Sequence, residues 1–194
     1  ILIILIFLSF SKIEILSTRI DFFDNLLKNN FINILFTAFC ILIVINGSNF
    51  IDGLNGLVIG YYSIIIIVLL NIDINFNLYL SEHLLNNFLF MLAILLIVNF
   101  LNKIFLGDNG SYLIGFLFSV YLIKIYQINS NISPYFIILL LWYPCFENLF
   151  SIIRKNILKK SAIMADSKHL HQLLFLLLYN KFNINNKIMA NKRK

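Results

Sequence analysis

Five apolar runs, each close to a membrane's width and nearly free of charge, leave this chain little choice of fold. They cover Phe31 to Ser48, Leu57 to Ile72, Leu84 to Leu101, Ser111 to Tyr126 and Pro134 to Ile153. A helix needs about 20 apolar residues to cross the hydrocarbon core, and inside it only helices and closed barrels satisfy their own backbone. Composition agrees: 60% of the 194 residues are hydrophobic and 12% are charged, where a soluble domain carries about 25% charged residues. The expectation is an all-α polytopic bundle, one integral membrane domain over 1–194, with five complete spans. Ile1 to Phe10 would rise only about 15 Å as a helix. With no basic flank to make it a signal peptide, it reads as the remnant of a first helix. Ser11 to Asn30, which mixes Lys12, Arg19 and Lys28 with Glu14, Asp21 and Asp24, reads as a polar loop with a short amphipathic helix at the interface.

Three polar islands interrupt or follow these runs. Asn46 to Leu57 reads N-G-S-N-F-I-D-G-L-N-G-L, Leu106 to Ser111 reads L-G-D-N-G-S, and Asp166 to Gln172 reads D-S-K-H-L-H-Q. Polar groups at membrane depth are costly and persist mainly where they line a cavity or do chemistry. Counting bases orients the chain. Arg154, Lys155, Lys159, Lys160 and Lys168 face Asp166 alone, so the basic loop 154–172 belongs inside, by the positive-inside rule. Counting spans backwards then puts Asp73 to His83 outside, where it carries acids and no Lys or Arg, and puts all three islands on the cytoplasmic face. The basic tail 181–194 completes a net charge of +6, placed as a membrane protein places it and not as a nucleic-acid surface. Cys40 and Cys145 lie far apart in apolar runs and read as buried free thiols.

Each island has a bland reading beside a functional one. Asp52 could be the N-cap of a helix starting near Gly53, but Asn46, Asn49 and Asn55 come with it at spacings of three, along one helical face. Together they form a carboxylate and amide cluster suited to a hard cation or a polar substrate. Asp108 could be a turn former. Followed by Ser111 and a helix, it could also hold Mg²⁺ against phosphate bound at the helix N-terminus. His169 and His171 have no third ligand near for zinc, and beside lysines they suit phosphate better. Glu147, an intramembrane acid, is a functional suspect or a partner for Arg154. Pro144 should kink the fifth span.

In this order and on these apolar partitions, the islands resemble the polyprenyl-phosphate N-acetylhexosamine-1-phosphate transferases, relatives of the phospho-MurNAc-pentapeptide translocase. The signature N-x-x-N-x-x-D-G-x-D-G-L is matched at Asn46, Asn49, Asp52, Gly53, Gly56 and Leu57. F-x-G-D-x-G-S is matched at Phe105, Gly107, Asp108, Gly110 and Ser111, and the His-rich loop at His169, His171 and Gln172. The resemblance implies transfer of a sugar phosphate from a UDP-N-acetylhexosamine to polyprenyl phosphate, starting a cell-envelope polysaccharide at a bacterial inner membrane. The cofactor would be Mg²⁺, with Mn²⁺ as its substitute, and the assembly a homodimer. It implies Asp108 as metal ligand, with Asp52, Asn49, His169 and His171 completing the catalytic set. Phe105 would stack on uracil, and Asn46, Lys103 and Ser111 would bind substrate.

Asn55 and Gln172 depart from the pattern, the second leaning towards a GlcNAc-type donor. A vicinal Asp-Asp pair of the family is not in this sequence, and the expectation is an N-terminally truncated chain, inactive as a fragment. Two other classes compete. One is a membrane protein that binds lipid phosphate without turnover. The other is a small ion-coupled transporter, although transporters place their polar breaks near the midplane in repeated halves.

Overall fold

The computed structural model describes residues 1–72, 74, 81–129, 131–157 and 169–182. Every regular element among them is an α-helix: α1 (Leu2–Ser11), α2 (Asp21–Leu27), α3 (Asn30–Ile51), α4 (Leu57–Leu70), α5 (Glu82–Phe100), α6 (Gly107–Ile128), α7 (Pro134–Leu140), α8 (Trp142–Ile157) and α9 (Leu170–Phe182). The all-α membrane bundle is therefore as the sequence predicts. Much of the basic loop (Lys159, Lys160, Asp166, Lys168), the acidic loop around Asp73 and the tail from residue 183 lie outside the described residues.

Three helices, α3, α5 and α6, are long and apolar enough to cross a membrane unbroken. The expected second span is shorter. Asn71 turns its amide back to the Ile67 carbonyl and closes α4 at 14 residues, about 21 Å of rise. The fifth is a bent pair, α7 and α8 meeting at 73°. The kink comes three residues before Pro144, at Leu141, which puts the proline in the first turn of α8, where it is tolerated.

At the centre stands α3. Asn29 caps it, its side chain accepting from the Phe31 and Ile32 N–H groups. Its main neighbours are α6, running antiparallel to it, and α8. Small residues set these contacts, as expected where lipid leaves close packing to hold helices together. A Cβ on Gly115 of α6 would stand 2.6 Å from Ser48 Oγ and 3.0 Å from the Ile45 Cα, and one on Gly47 would stand 2.1 Å from the Pro144 carbonyl oxygen. Between them Ser48 donates to the Val44 carbonyl at 2.7 Å and pairs with the Tyr62 hydroxyl. At the end of the bundle away from the polar islands, Tyr126 of α6 donates to the Ser17 carbonyl at 2.6 Å. Buried Asn33 exchanges bonds with the Ile15 backbone, and Asp24 accepts from Ser17 and Thr18. Those donors, Ser17 foremost, hold the Asp24 carboxyl below the usual carboxylate range. The α1–α2 connection is thus tied to α3 and α6, with α2 the short helix expected there.

Lacking an N–H, Pro144 leaves the Leu140 carbonyl without its helical donor, and the Tyr61 hydroxyl of α4 supplies one. Tyr61→Phe should strand that carbonyl in an apolar interior and lower stability by about 1–3 kcal/mol, read as a fall in the thermal midpoint in detergent. An unchanged midpoint would mean that the bend does not depend on this bond.

Candidate functional site

The three islands meet at one end of the bundle, and local folding explains how. The first occupies the last turn of α3 and the tight connection that follows. Asp52 is the C-terminal cap of α3 and not the N-cap of the next helix: α4 begins at Leu57, entered through Gly56 at φ +81°. This backbone favours glycine over any side chain. The second island is the first turn of α6, which starts at Gly107, four residues earlier than the sequence suggests. The described part of the third, His169 to Gln172, is the start of α9.

Hydrogen bonds join the first two. Asn49 Nδ2 donates to Asp108 Oδ1 at 2.9 Å and to Ser111 Oγ at 3.3 Å, while Ser111 Oγ donates to the Asp108 carbonyl at 3.0 Å. Asp52 is half-buried in the same cluster, and its carboxyl is pushed up to about 6, first by burial and then by the charge of Asp108. The two carboxylates thus lie close enough for the charge of one to raise the other.

The third island closes against both the first and α8. A Cβ on Gly53 would lie 2.1 Å from His171 Nε2, so only glycine leaves room for that ring. Phe50 stacks on His169 with centroids 5.2 Å apart, and the His169 and His171 rings lie parallel at 5.8 Å. Tyr143 of α8 approaches His171 Nδ1 at 3.5 Å. Glu147, with no exposed surface, turns its carboxylate to His169 Nδ1 at 3.0 Å and to the Leu170 N–H at 2.7 Å. Its partner is therefore the histidine and not Arg154, whose guanidinium lies over the Phe150 ring. Gln172 Oε1 accepts from the His169 N–H at 3.4 Å, the return bond of a capping box, so the residue that departs from the family's His pattern helps to start α9.

Not every expected residue joins the cluster. Asn46 is exposed on α3, and among the described residues no hydrogen bond ties it to Asn49 or Asp108. Asn55 sits in the turn beyond α3, off the helical face assumed for it, and its Nδ2 donates to Asn102 Oδ1 at 2.6 Å. Lys103 and Phe105 are exposed on the connection into α6, Phe105 at 67%. That leaves its ring open to a ligand.

Sequence reasoning missed Asn99. It is 4% exposed, accepts from the Gly56 N–H at 2.5 Å and donates to the Ile104 carbonyl at 2.8 Å, so it clips the two island loops together. Its only sequence signal was an amide in an apolar run, lost among the many asparagines of this chain. Asn99→Ala should free both loops. Amide exchange over 52–57 and 101–106 should quicken while the core of α3 stays protected, and unchanged exchange would remove the clip.

A family model described as glycosyl transferase family 4 matches residues 1–126, which hold the first two islands. A Bacillus subtilis protein named a probable undecaprenyl-phosphate N-acetylglucosaminyl 1-phosphate transferase is 32% identical over 148 residues, 71% of this chain and 39% of that relative. A Thermotoga maritima protein named undecaprenyl-phosphate alpha-N-acetylglucosaminyl 1-phosphate transferase is 32% identical over 69 residues, 36% of this chain and 22% of its own length. The matches thus cover well under half of either relative. No solved structure matches the chain significantly. On the extent of the family match, with its two signatures folded into one cluster, this chain belongs to glycosyl transferase family 4.

Proposed function

We propose that this chain contributes the transfer of an N-acetylhexosamine-1-phosphate from a UDP-sugar to polyprenyl phosphate, the first step of a cell-envelope polysaccharide. The observation that carries the reading is the Asn49 side chain bonded to both Asp108 and Ser111, with the His171 ring against Gly53 of the same loop. Residues scattered over more than a hundred positions build one polar cluster at the mouth of an apolar bundle. The relatives' names speak of undecaprenyl phosphate and N-acetylglucosaminyl 1-phosphate; the UDP-sugar donor is part of the proposal.

In the proposed reaction an oxygen of polyprenyl phosphate bonds to the β-phosphorus of the UDP-sugar. The bond from that phosphorus to the oxygen bridging to the α-phosphate breaks, and its electron pair leaves with UMP. The attacking phosphate is already anionic, so the chain's task is to place two anions in line and offset their repulsion. His169 and His171 are the proposed donors to phosphate or sugar, Lys103 a nearby cation, and Phe105 a face for the base. Among the described residues no cluster of three His, Cys, Asp or Glu is placed for a metal, which disfavours a zinc-type site. Mg²⁺ asks less, one or two carboxylates with water and substrate phosphate filling its shell. Asp108, with Asp52 close enough to feel its charge, fits that demand. When bound, Mg²⁺ or Mn²⁺ would offset the charge of the diphosphate.

A place for the lipid tail supports the reading. An apolar recess of about 330 Å³ runs from the α1–α2 connection and α2, at the end away from the islands, between α3, α6, α7 and α8 as far as Val44, lined among others by Ile15, Phe23, Cys40, Ile123 and Cys145. Val44 is five residues along α3 from Asn49, about 7.5 Å of rise. Both cysteines are free thiols.

The deciding assay follows UMP release from UDP-GlcNAc, with UDP-GalNAc as the comparison donor, using undecaprenyl phosphate and Mg²⁺ in detergent, for this chain alone and with the family's Asp-Asp loop supplied. Lipid-dependent release supports the reading. Lipid binding with no release from either donor would return the chain to a lipid-phosphate binder. The active face is proposed as cytoplasmic in a bacterial inner membrane. Cysteines placed at Lys103 and Ser133 should then react with an impermeant reagent from the cytoplasmic and outer sides respectively; the reverse pattern would invert the orientation.

A further inference from the structure

Buried acids in a membrane bundle are expensive and need a reason. Glu147 has one on each oxygen. Oε2 meets His169 Nδ1 at 3.0 Å and Oε1 accepts the Leu170 N–H at 2.7 Å, the first backbone donor of α9. A carboxylate at a helix N-terminus satisfies an orphan N–H and the positive end of the dipole. The same carboxylate, acceptor-only when ionised, obliges His169 to present Nδ1 as a donor. The ring cannot escape by turning, because Phe50 stacks against it and the His171 ring lies parallel to it.

We infer that Glu147 is a positioning residue: it fixes His169 with Nδ1 committed to the protein and Nε2 left as the atom that meets a phosphoryl oxygen of the substrate. The inference rests on the transferase reading above and deepens it, naming the phosphate contact of the His loop and the acid that sets it. A carboxylate behind a working imidazole fixes its ring orientation and tautomer. Here the acid comes from a different helix, α8, so the position of α9 and the orientation of its histidine are set by one group.

The test is a double-mutant cycle on the intact protein in detergent, with Glu147→Gln, His169→Gln and the pair. Glu147→Gln keeps size and polarity but offers His169 an amide where it needs a carboxylate oxygen. Its kcat should fall about 10- to 100-fold, the range for losing such a supporting partner, with KM for the UDP-sugar within about twofold. Made in the His169→Gln background, it should cost nothing more, since the group it serves is gone. Glu147→Asp, with a shorter reach to the same two donors, should recover part of the loss. Additive losses would overturn the inference, as would a change confined to KM.

A separate arm needs no activity. Amide exchange at the start of α9 should quicken in Glu147→Ala, with α3 unchanged. If the wild-type chain releases no UMP even with the family's Asp-Asp loop supplied, the transferase reading fails, and the exchange result alone decides whether Glu147 holds α9. Exchange that is unchanged, or that rises equally throughout the bundle, counts against the positioning role.

Discussion

With the family's Asp-Asp loop supplied, Asp108→Asn should lower phosphosugar transfer by about 10²–10³-fold, the scale for removing one well-placed electrostatic group from a reaction centre. It should also make nucleotide binding indifferent to Mg²⁺. The substitution is close to isosteric. An asparagine can still accept the Asn49 amide with its own carbonyl oxygen, so the loop between Leu106 and Ser111 has no reason to move. What is lost is the negative charge that a hard cation requires. A secondary effect has a definite sign. The Asp52 carboxyl is raised by burial and, after that, by the charge of Asp108; with that charge removed, the part due to Asp108 disappears and the part due to burial stays. UMP release and nucleotide titration with and without Mg²⁺ check the expectation. A variant with the wild-type rate would reduce Asp108 to a helix-starting residue.

The second large effect concerns stability. Gly47→Ala places a methyl group 2.1 Å from the Pro144 carbonyl oxygen and 2.5 Å from its carbonyl carbon. Backbone stands on both sides of that contact, so no rotamer change can make room, and α3 and α8 must part. Overpacking of this kind costs about 1–3 kcal/mol and sometimes more, and with backbone as the obstacle we expect about 3 kcal/mol or above. Gly60→Ala is the control, since its nearest neighbour would be 4.0 Å away. The thermal midpoint in detergent should drop for Gly47→Ala and hold for Gly60→Ala. Equal midpoints would show that the α3–α8 contact is looser than drawn.

How much of this was legible in the sequence depends on the kind of signal. Apolar runs announce a helical membrane bundle because lipid admits few alternatives, and the meeting of three islands followed from chain direction once the spans were counted. Element ends were less visible. Asp52 looked like an N-cap because Asp favours that place, but glycine at position 56 lets the turn run four residues further before α4 starts. Asn46, Asn49 and Asn55 looked like one helical face because their spacing assumes that the helix continues, and α3 stops at Ile51. Partners distant in sequence were not legible at all. Nothing near Tyr61 says that it will serve the carbonyl freed by Pro144, and nothing near Asn99 distinguishes it from asparagines that face lipid or water. Glu147 was visible as a costly residue, while its partner depended on where α9 starts.

The central place of α3 bears on biogenesis. It emerges early in the described chain, yet α6 begins only at Gly107, α8 at Trp142 and α9 at Leu170. Until those helices arrive, Gly47 and Asn49 of α3 lack the neighbours on α8 and α6 that they meet in the fold. The lipid or the insertion machinery must hold the helix as an independent unit, as two-stage assembly of membrane helices envisages. The polar cluster is assembled last of all, because the glycine at position 53 waits for a ring at position 171. A nascent chain therefore carries the loop after α3 through the synthesis of α4 to α8 before the ring at position 171 completes the cluster.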